Sequence, residues 1–290
     1  MSKIAILLLF FSLLPAQGQG LRIGFWNVEN LMDTINCRGT NDGEFTPEGS
    51  AHWTAAKYEA KVAQLRHFIA LLKPDILGLG EVENREVLED ITRGTDYKIV
   101  HYEGPDYRGI EVALIYRDTL TLLSSEPIPA STARRTRELL RAEFGLGSNS
   151  LVLYVAHLPS RRGNDPRNEV ARGQIGTQID SLCLTELPKA VVVMGDMNSN
   201  PLALNSVYNA SLAPYKRGLG SYAYGDVWQM YDQILLGGAV AAGVEAKVFA
   251  PDELITTKGR YKGYPRKGHP SDHFPVYVDL VFGGAGGRGR

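Results

Sequence analysis

The sequence is poor in cysteine, in net charge and in long apolar runs, and each shortage excludes something. Its 290 residues include two cysteines, Cys37 and Cys183, so a disulfide framework of the kind that holds small secreted domains together is excluded. Two thiols allow one bridge at most. Their separation in space is not set by the sequence, and the expectation is that they stay unpaired. Lysine and arginine number 31 against 32 aspartate and glutamate, a formal net charge of −1. A global basic field, the usual footprint of tight sequence-independent nucleic-acid binding, is therefore missing. Any polyanion has to be met by local arginines. No apolar run reaches the roughly 20 residues of a membrane-spanning helix, and no internal repeat is present.

What is there begins with one charge, Lys3, then an apolar run from Ile4 to Leu14, then the small and polar stretch Pro15 to Gly20. That order is the grammar of a secretory signal. Residues 1 to 20 therefore read as a signal peptide, and with no cysteine after the apolar run, lipid attachment there is not expected. The mature protein is expected to be secreted or periplasmic, monomeric and without a stable membrane anchor. Residues 283 to 290, GGAGGRGR, are low-complexity and read as a flexible tail. Residues 21 to 282 are enough for one sizeable core, and no linker divides them.

Within that span apolar strands alternate with amphipathic helices, which argues for a layered α/β domain. Runs at Leu21 to Trp26, Asp75 to Leu79, Val112 to Tyr116, Leu151 to Ala156, Val191 to Met194 and Phe274 to Leu280 read as buried strands. Val62, Leu65, Ile69 and Leu72 recur at helical spacing until Lys73-Pro74 stops the run. A second helix has Asp165 as cap, Pro166 in its first turn, and Ala171, Ile175, Ile179 and Leu182 on one face. Three long polar stretches, about 29 to 55, 196 to 230 and 250 to 272, lie between these elements, and loops of that length in a compact domain usually carry function.

Acidic, amide and imidazole residues fall at the ends of the strands. Asn27 and Glu29 end the first, in FWNVEN; Glu81 ends the second, in DILGLGEVEN; His157 ends LVLYVAHLPS; Asp196 and Asn198 end VVVMGDMNSNP. Asp232 opens YDQILL, and Ser271, Asp272 and His273 precede the last strand in HPSDHFPVYV. Strand ends along one edge of a sheet are where α/β proteins gather their sites. Hard oxygen ligands from Glu and Asp suit Mg²⁺ or Mn²⁺, which offsets phosphate charge and lowers the pKa of bound water.

WNVEN, GEVEN, GDMNSNP and SDHFP, in that order and joined by HLPS and YDQILL, resemble the signature motifs of the endonuclease/exonuclease/phosphatase (DNase I-like) superfamily. The resemblance runs from about residue 21 to 282. It implies a four-layer α/β sandwich of two packed mixed β-sheets flanked by helices, and a metal-dependent phosphoester hydrolase. It also implies roles: Glu81 as principal metal ligand with Asn27 beside it, Asp272 completing the metal site, and Asp196 activating the attacking water with Asn198. His273, oriented by Asp232, would bind the scissile phosphate or shuttle a proton, and His157 would protonate the leaving group or contact phosphate. Glu29 stands where branches of the superfamily differ between acid and base, and it is included as a metal ligand. Arg108 lies where the family often places substrate contacts, and an arginine fork suits phosphate.

Arg161 and Arg162 follow His157 in HLPSRRGN and are expected to contact phosphate, whereas Arg134, Arg135, Arg137 and Arg141 read as a solvated face. Lys258, Arg260, Lys262, Arg266 and Lys267 fill the loop before SDH, placed either to close over substrate or to stay in solvent. Trp53 and Trp228 read as core or loop anchors. Nucleic acid is the expected substrate; a small-molecule or lipid-headgroup phosphoester of the inositol phosphate or sphingomyelin type is the alternative, because the motifs report phosphoester chemistry and not the leaving group. A catalytically dead binding module is disfavoured, since none of Glu81, Asp196, Asn198, Asp272 and His273 is missing. The His-Glu-x-x-His pattern of zinc hydrolases and the Asp-x-His and Gly-Asn-His patterns of calcineurin-like phosphatases are absent.

Overall fold

Runs such as Val191 to Met194 are apolar at every position, so neither face of the strand can be left to solvent. Four layers meet that demand. The computed structural model describes residues 19 to 282 apart from 38, 225, 241, 242, 261, 266, 267 and 269, and apart from the side chains of Gln19 and Arg162. The expected leader lies outside the described residues except for its last two positions, which begin the first strand, and the expected tail lies wholly outside them.

In chain order the elements are β1 (Gln19–Leu31), α1 (Ala55–Leu72), β2 (Ile76–Val82), α2 (Arg85–Thr92), β3 (Tyr97–His101), β4 (Glu111–Arg117), β5 (Leu122–Ile128), β6 (Leu139–Leu146) and β7 (Asn149–His157). There follow α3 (Pro166–Glu186), β8 (Ala190–Asp196), β9 (Tyr208–Asn209), α4 (Leu212–Lys216), β10 (Tyr222–Tyr224), β11 (Val227–Gln229), β12 (Asp232–Gly237), β13 (Lys247–Val248) and β14 (Val276–Phe282). One sheet has the order β13-β14-β1-β2-β4-β3, a second has β5-β6-β7-β8-β12-β9, and β10 and β11 form a two-stranded sheet from which Tyr222 makes an isolated antiparallel bridge to His273. Both large sheets are mixed: β1 is parallel to β2 and antiparallel to β14, while β8 is parallel to β7 and antiparallel to β12.

Side chains alternate across each strand, so one apolar run serves two cores. Ile23 and Phe25 from the first sheet meet Leu153, Val155, Val192 and Met194 from the second in the central core. On the outer face of the first sheet, Trp26, Leu77 and Leu79 pack with Leu65, Phe68 and Ile69 of α1 and Leu88 of α2. On the outer face of the second, Val152, Tyr154, Val191 and Val193 pack with Ile175, Ile179 and Cys183 of α3. Each such aliphatic side chain contributes roughly 1.5–3 kcal/mol relative to exposure. The expected sandwich is what the layers form. Gly78 marks how closely the sheets approach: a Cβ there would lie 3.1 Å from both Met194 Cε and Val155 Cγ1.

The two expected helices have their expected ends. α1 stops where Lys73 takes a left-handed conformation (φ 52°) before Pro74, and α3 starts with Asp165 accepting from the Arg167 N–H at 2.9 Å and Pro166 in the first turn. α1 begins earlier than its apolar spacing suggests, because Thr54 caps it and the first turns face solvent. Both cysteines are free, with Cys183 buried on the face of α3 that packs against the second sheet. Among the described residues no helix is long and apolar enough to cross a membrane.

Candidate active site

In the second sheet the strand register assembles a row of polar side chains. His157, the last residue of β7, pairs with Asp196, the last residue of β8, and Asp196 pairs with Asp232, the first residue of β12. Residues directly opposite on neighbouring strands present side chains to the same face. Close strand approach is required here, since a Cβ on Gly195 would fall 2.0 Å from the Ala156 carbonyl oxygen. Asp232 in turn holds His273, with Nδ1 2.6 Å from Asp232 Oδ2. Three further contacts fix His273, from β1, from the loop before β14 and from β10. Its carbonyl accepts from Trp26 Nε1 at 2.9 Å, its N–H donates to Ser271 Oγ at 2.9 Å, and its ring lies 4.7 Å from that of Tyr222.

The first sheet contributes through irregular backbone. Opposite β4 the register shifts between Gly80 and Val82, and the bulged residue is Glu81, at φ 64°. A bulge re-aims its side chain away from the regular pleat. Glu29, Asn30 and Asn198 also occupy the left-handed region, at φ 49°, 54° and 46°. Such a conformation is uncommon outside glycine and costs of order 1–3 kcal/mol per residue, so its recurrence at one place points to a site that the surrounding structure over-determines. Glu81 Oε2 accepts the Asn30 N–H at 2.9 Å, and Asn27 Nδ2 lies 3.5 Å from Glu81 Oε1. That same amide donates to Asp196 Oδ2 at 3.0 Å, joining the two sheets. Glu29 Oε2 accepts the Asp272 N–H at 2.9 Å.

The electrostatics divide the site in two. Burial, with Asp272 and Glu81 close by, pushes the Glu29 carboxyl up to about 7, and burial likewise raises Asp272. Lys61, half-buried and donating to the carbonyls of Glu29 at 2.7 Å and Pro270 at 2.6 Å, is lowered by desolvation to about 8. Arg108 Nη2 lies 4.0 Å from Glu81 Oε2 and hydrogen-bonds Asn30 Oδ1. Three carboxylates thus crowd one another with two cations at their edge, an excess of negative charge that fits a divalent cation. Their oxygens do not close to within 4.8 Å of one another as a set, whereas ligating atoms of Asp196, Asp232 and His273 do. We nevertheless favour the carboxylate group for a cation, because His273 Nδ1 is already committed to Asp232.

The second half holds two histidines in opposite states. Burial, together with Arg137, His273 and Arg108, drives the His157 pKa well below the ordinary value. Burial alone would do the same to His273, but the carboxylates of Asp232, Asp272 and Asp196 hold it well above. The surroundings therefore favour the neutral form of His157 and the protonated form of His273. The 3.6 Å approach of His157 Nε2 to Asp196 Oδ2 is accordingly a polar contact and not an ion pair. Burial, and then Asp232, raise the Asp196 carboxyl to about 6 against the pull of His273, the Asn198 N–H and the Asn27 amide.

The sequence profile of the Endonuclease/Exonuclease/phosphatase family matches residues 22–281. The chain belongs to this family. Its enzymes are phosphoester hydrolases that depend on divalent metal, and the chain is one of them. TDP2 from C. elegans is similar in structure, with TM-score 0.64 and 16% identity over 90% of this chain and 75% of that one. D. rerio TDP2 complexed with single strand DNA product gives 0.61 and 21% over 90% and 98%. The catalytic domain of human Nocturnin with bound sulfate gives 0.63 and 18% over 93% and 96%. At these identities the similarity speaks to the fold. No curated protein matches the chain by sequence.

Of the residues singled out in this family member's sequence, Asn27, Glu29, Glu81, His157, Asp196, Asn198, Asp232, Asp272 and His273 come together at one edge of the two sheets, with Arg108 beside them. Arg161 is exposed near Tyr231 and Arg172, and the side chain of Arg162 lies outside the described residues. The solvated-face reading of the other arginines is corrected at two positions. Arg137 is 7% exposed, donating to Asp106 Oδ2 at 3.1 Å and to the carbonyls of His157 and Leu158 at 3.0 and 3.2 Å. Arg141 is half-buried and ion-paired with Glu143 at 2.9 Å and Glu186 at 2.7 Å. Arg134 and Arg135 are exposed as expected. In the loop before Ser271, Arg260 pairs with Asp226 at 2.8 Å, while positions 266 and 267 lie outside the described residues. Trp53 donates to the Met32 carbonyl and Trp228 stacks on Phe274, both as anchors. Lys61 and Arg137 are the site-supporting residues that sequence reasoning missed. A lysine amid helix residues and an arginine among other arginines give no local signal.

Proposed function

We propose that residues 21 to 282 form an exported, Mg²⁺- or Mn²⁺-dependent nuclease that hydrolyses phosphodiester bonds of DNA or RNA. The observation that carries the chemistry is the arrangement around Asp196, which is held by the Asn27 amide and the Asn198 N–H and lies across from the Asp232–His273 pair. Burial and Asp232 raise the Asp196 carboxyl to about 6, and the neighbouring carboxylates favour the protonated form of His273. An ordinary aspartate, with a pKa of about 3.9, is a weaker base for water. A divalent ion held by Glu81 with Asn27, Glu29 and Asp272 would offset phosphate charge and lower the pKa of bound water.

Asp196 takes the proton of the attacking water, held in place by the Asn27 amide and the Asn198 N–H. Asn198 spends its Nδ2 on the Leu158 carbonyl at 3.0 Å, leaving Oδ1 to orient that water. As the new O–P bond forms, His273 offers Nε2 to the phosphate and supplies a proton to the departing oxygen, its Nδ1 remaining on Asp232. His157 favours its neutral form, which suits it to phosphate contact better than to protonating the leaving group. Arg108 and Arg161, with Arg162, meet flanking phosphates. Export rests on Lys3 and the apolar run Ile4 to Leu14, and the protein acts as a monomer.

Support for a nucleic-acid substrate comes from the local arginines and from the DNA product held by the structurally similar D. rerio TDP2. The net charge of −1 favours the second reading, a small-molecule or lipid-headgroup phosphoester. Incubation with plasmid DNA, RNA, bis-nitrophenyl phosphate and phospholipid vesicles, with Mg²⁺ or Mn²⁺, separates the two. Cleavage of DNA or RNA is expected. Release of headgroup from lipid with both nucleic acids intact would overturn the nuclease reading.

A further inference from the structure

Glu83, two residues past Glu81, turns into a different group of side chains. It is 5% exposed, its Oε2 accepts the Asp33 N–H at 2.5 Å, and Cys37 Sγ approaches its Oε1 at 3.8 Å. Asp42 is 2% exposed, and its Oδ2 accepts the Cys37 N–H at 2.8 Å. Its other oxygen, Oδ1, is buried in the same place without a hydrogen-bond partner among the described residues. One ligating atom from each of Cys37, Asp42 and Glu83 lies within 4.8 Å of the other two.

Asp42 and Glu83 are carboxylates buried within 4.8 Å of each other, where two negative charges repel and lose their hydration, and the Asp42 Oδ1 oxygen has no hydrogen-bond partner among the described residues. A buried anion without a partner is strongly disfavoured, and an orphaned carboxylate oxygen needs an explanation, an ion being one. We propose that Cys37, Asp42 and Glu83 form a second cation site, distinct from the Glu29, Glu81 and Asp272 group, which takes a divalent ion of the zinc class. The thiol decides the class. Mg²⁺ and Ca²⁺ take oxygen ligands, whereas a thiolate with two carboxylates suits zinc, with three protein ligands and an open fourth position for water. Cys37 is half-exposed, which leaves a way in. Asp33 supports the site from behind: its N–H orients Glu83, and its own carboxylate is occupied by the Ile35 N–H at 2.6 Å and Asn84 Nδ2 at 3.0 Å. Such outer partners hold ligands in place. The ion would tie the 32 to 42 loop to the end of β2, just beyond the bulge that carries Glu81.

Co²⁺ is the probe, because a cobalt–thiolate bond has a near-ultraviolet charge-transfer band that oxygen ligands lack. The full mature chain, stripped with chelator under reducing conditions, is titrated with Co²⁺ and then with Zn²⁺. The band should appear with one equivalent and be displaced by Zn²⁺. It should vanish in Cys37→Ser, a substitution at a half-exposed position, and Asp42→Asn should weaken Zn²⁺ binding at least tenfold. It should persist in Cys183→Ala and in Glu81→Gln, which separates this site from the other thiol and from the hydrolytic centre. Absence of the band in the folded wild-type chain, its survival in Cys37→Ser, or its loss in Glu81→Gln would overturn the proposal.

Discussion

The side-chain amide of Asn27, in the first sheet, donates to Asp196 Oδ2, in the second, across 3.0 Å. This bond fixes the proposed base against the carboxylate group, since the same nitrogen lies 3.5 Å from Glu81 Oε1. Asn27→Ala removes the donor and leaves a buried carboxylate oxygen short of a partner. The expected outcome is a fall in kcat of about 100-fold or more, as for loss of one oriented donor, with about 1–3 kcal/mol lost in urea denaturation. Unchanged kcat in the folded variant would show that the bond between the sheets does not serve catalysis.

Asp232→Asn tests the state of His273. Burial pulls the imidazolium pKa down and three carboxylates, Asp232 foremost, push it up. Removing the charge that sits 2.6 Å away must therefore lower the His273 pKa. A histidine titration followed by NMR should show that fall, and kcat should drop by about 10²–10⁴, the range for losing general acid–base help. A His273 pKa unmoved by the substitution would refute the pairing.

Acid stability should depend on Glu143, far from the site. The Ser150 hydroxyl, then Arg141 and Lys189, lower its carboxyl to about 2, below the unfolded value of about 4.3. The unfolded chain therefore takes up the proton first, so this contribution is full above about pH 4.3 and is lost as pH falls toward about 2. Thermal midpoints measured across that window should drop less steeply in Glu143→Gln than in the wild type. Parallel curves would contradict the assignment.

Much of the fold and of the site was legible because both follow from local patterns. Doubly buried strands announce themselves as unbroken apolar runs, and the residue that ends each run is the one the sheet edge presents, as with His157 and Asp196. The helix ends at Lys73 and Asp165 were legible from Pro74 and Pro166. Short or exposed elements were not. α2 is amphipathic but spans only Arg85–Thr92, two turns, and β5 contains Glu126 and Pro127 and has no fully buried position. The burial of Arg137 depends on contacts with His157 and Asp106 about 20 and 31 positions away, which nothing in RRTRELLR records. The same holds for Cys37 and Glu83, 46 positions apart.

The most direct measurement is Mn²⁺-titrated cleavage of DNA and bis-nitrophenyl phosphate by the wild type, Glu81→Gln and Asp196→Asn, with a thermal unfolding curve for each. Both variants should fold and each should lose about 1,000-fold or more in kcat/KM, the scale expected when one oriented group is removed from a preorganised site. Retention of more than about a tenth of the activity by either folded variant, where one tenth corresponds to about 1.4 kcal/mol of barrier, would contradict it.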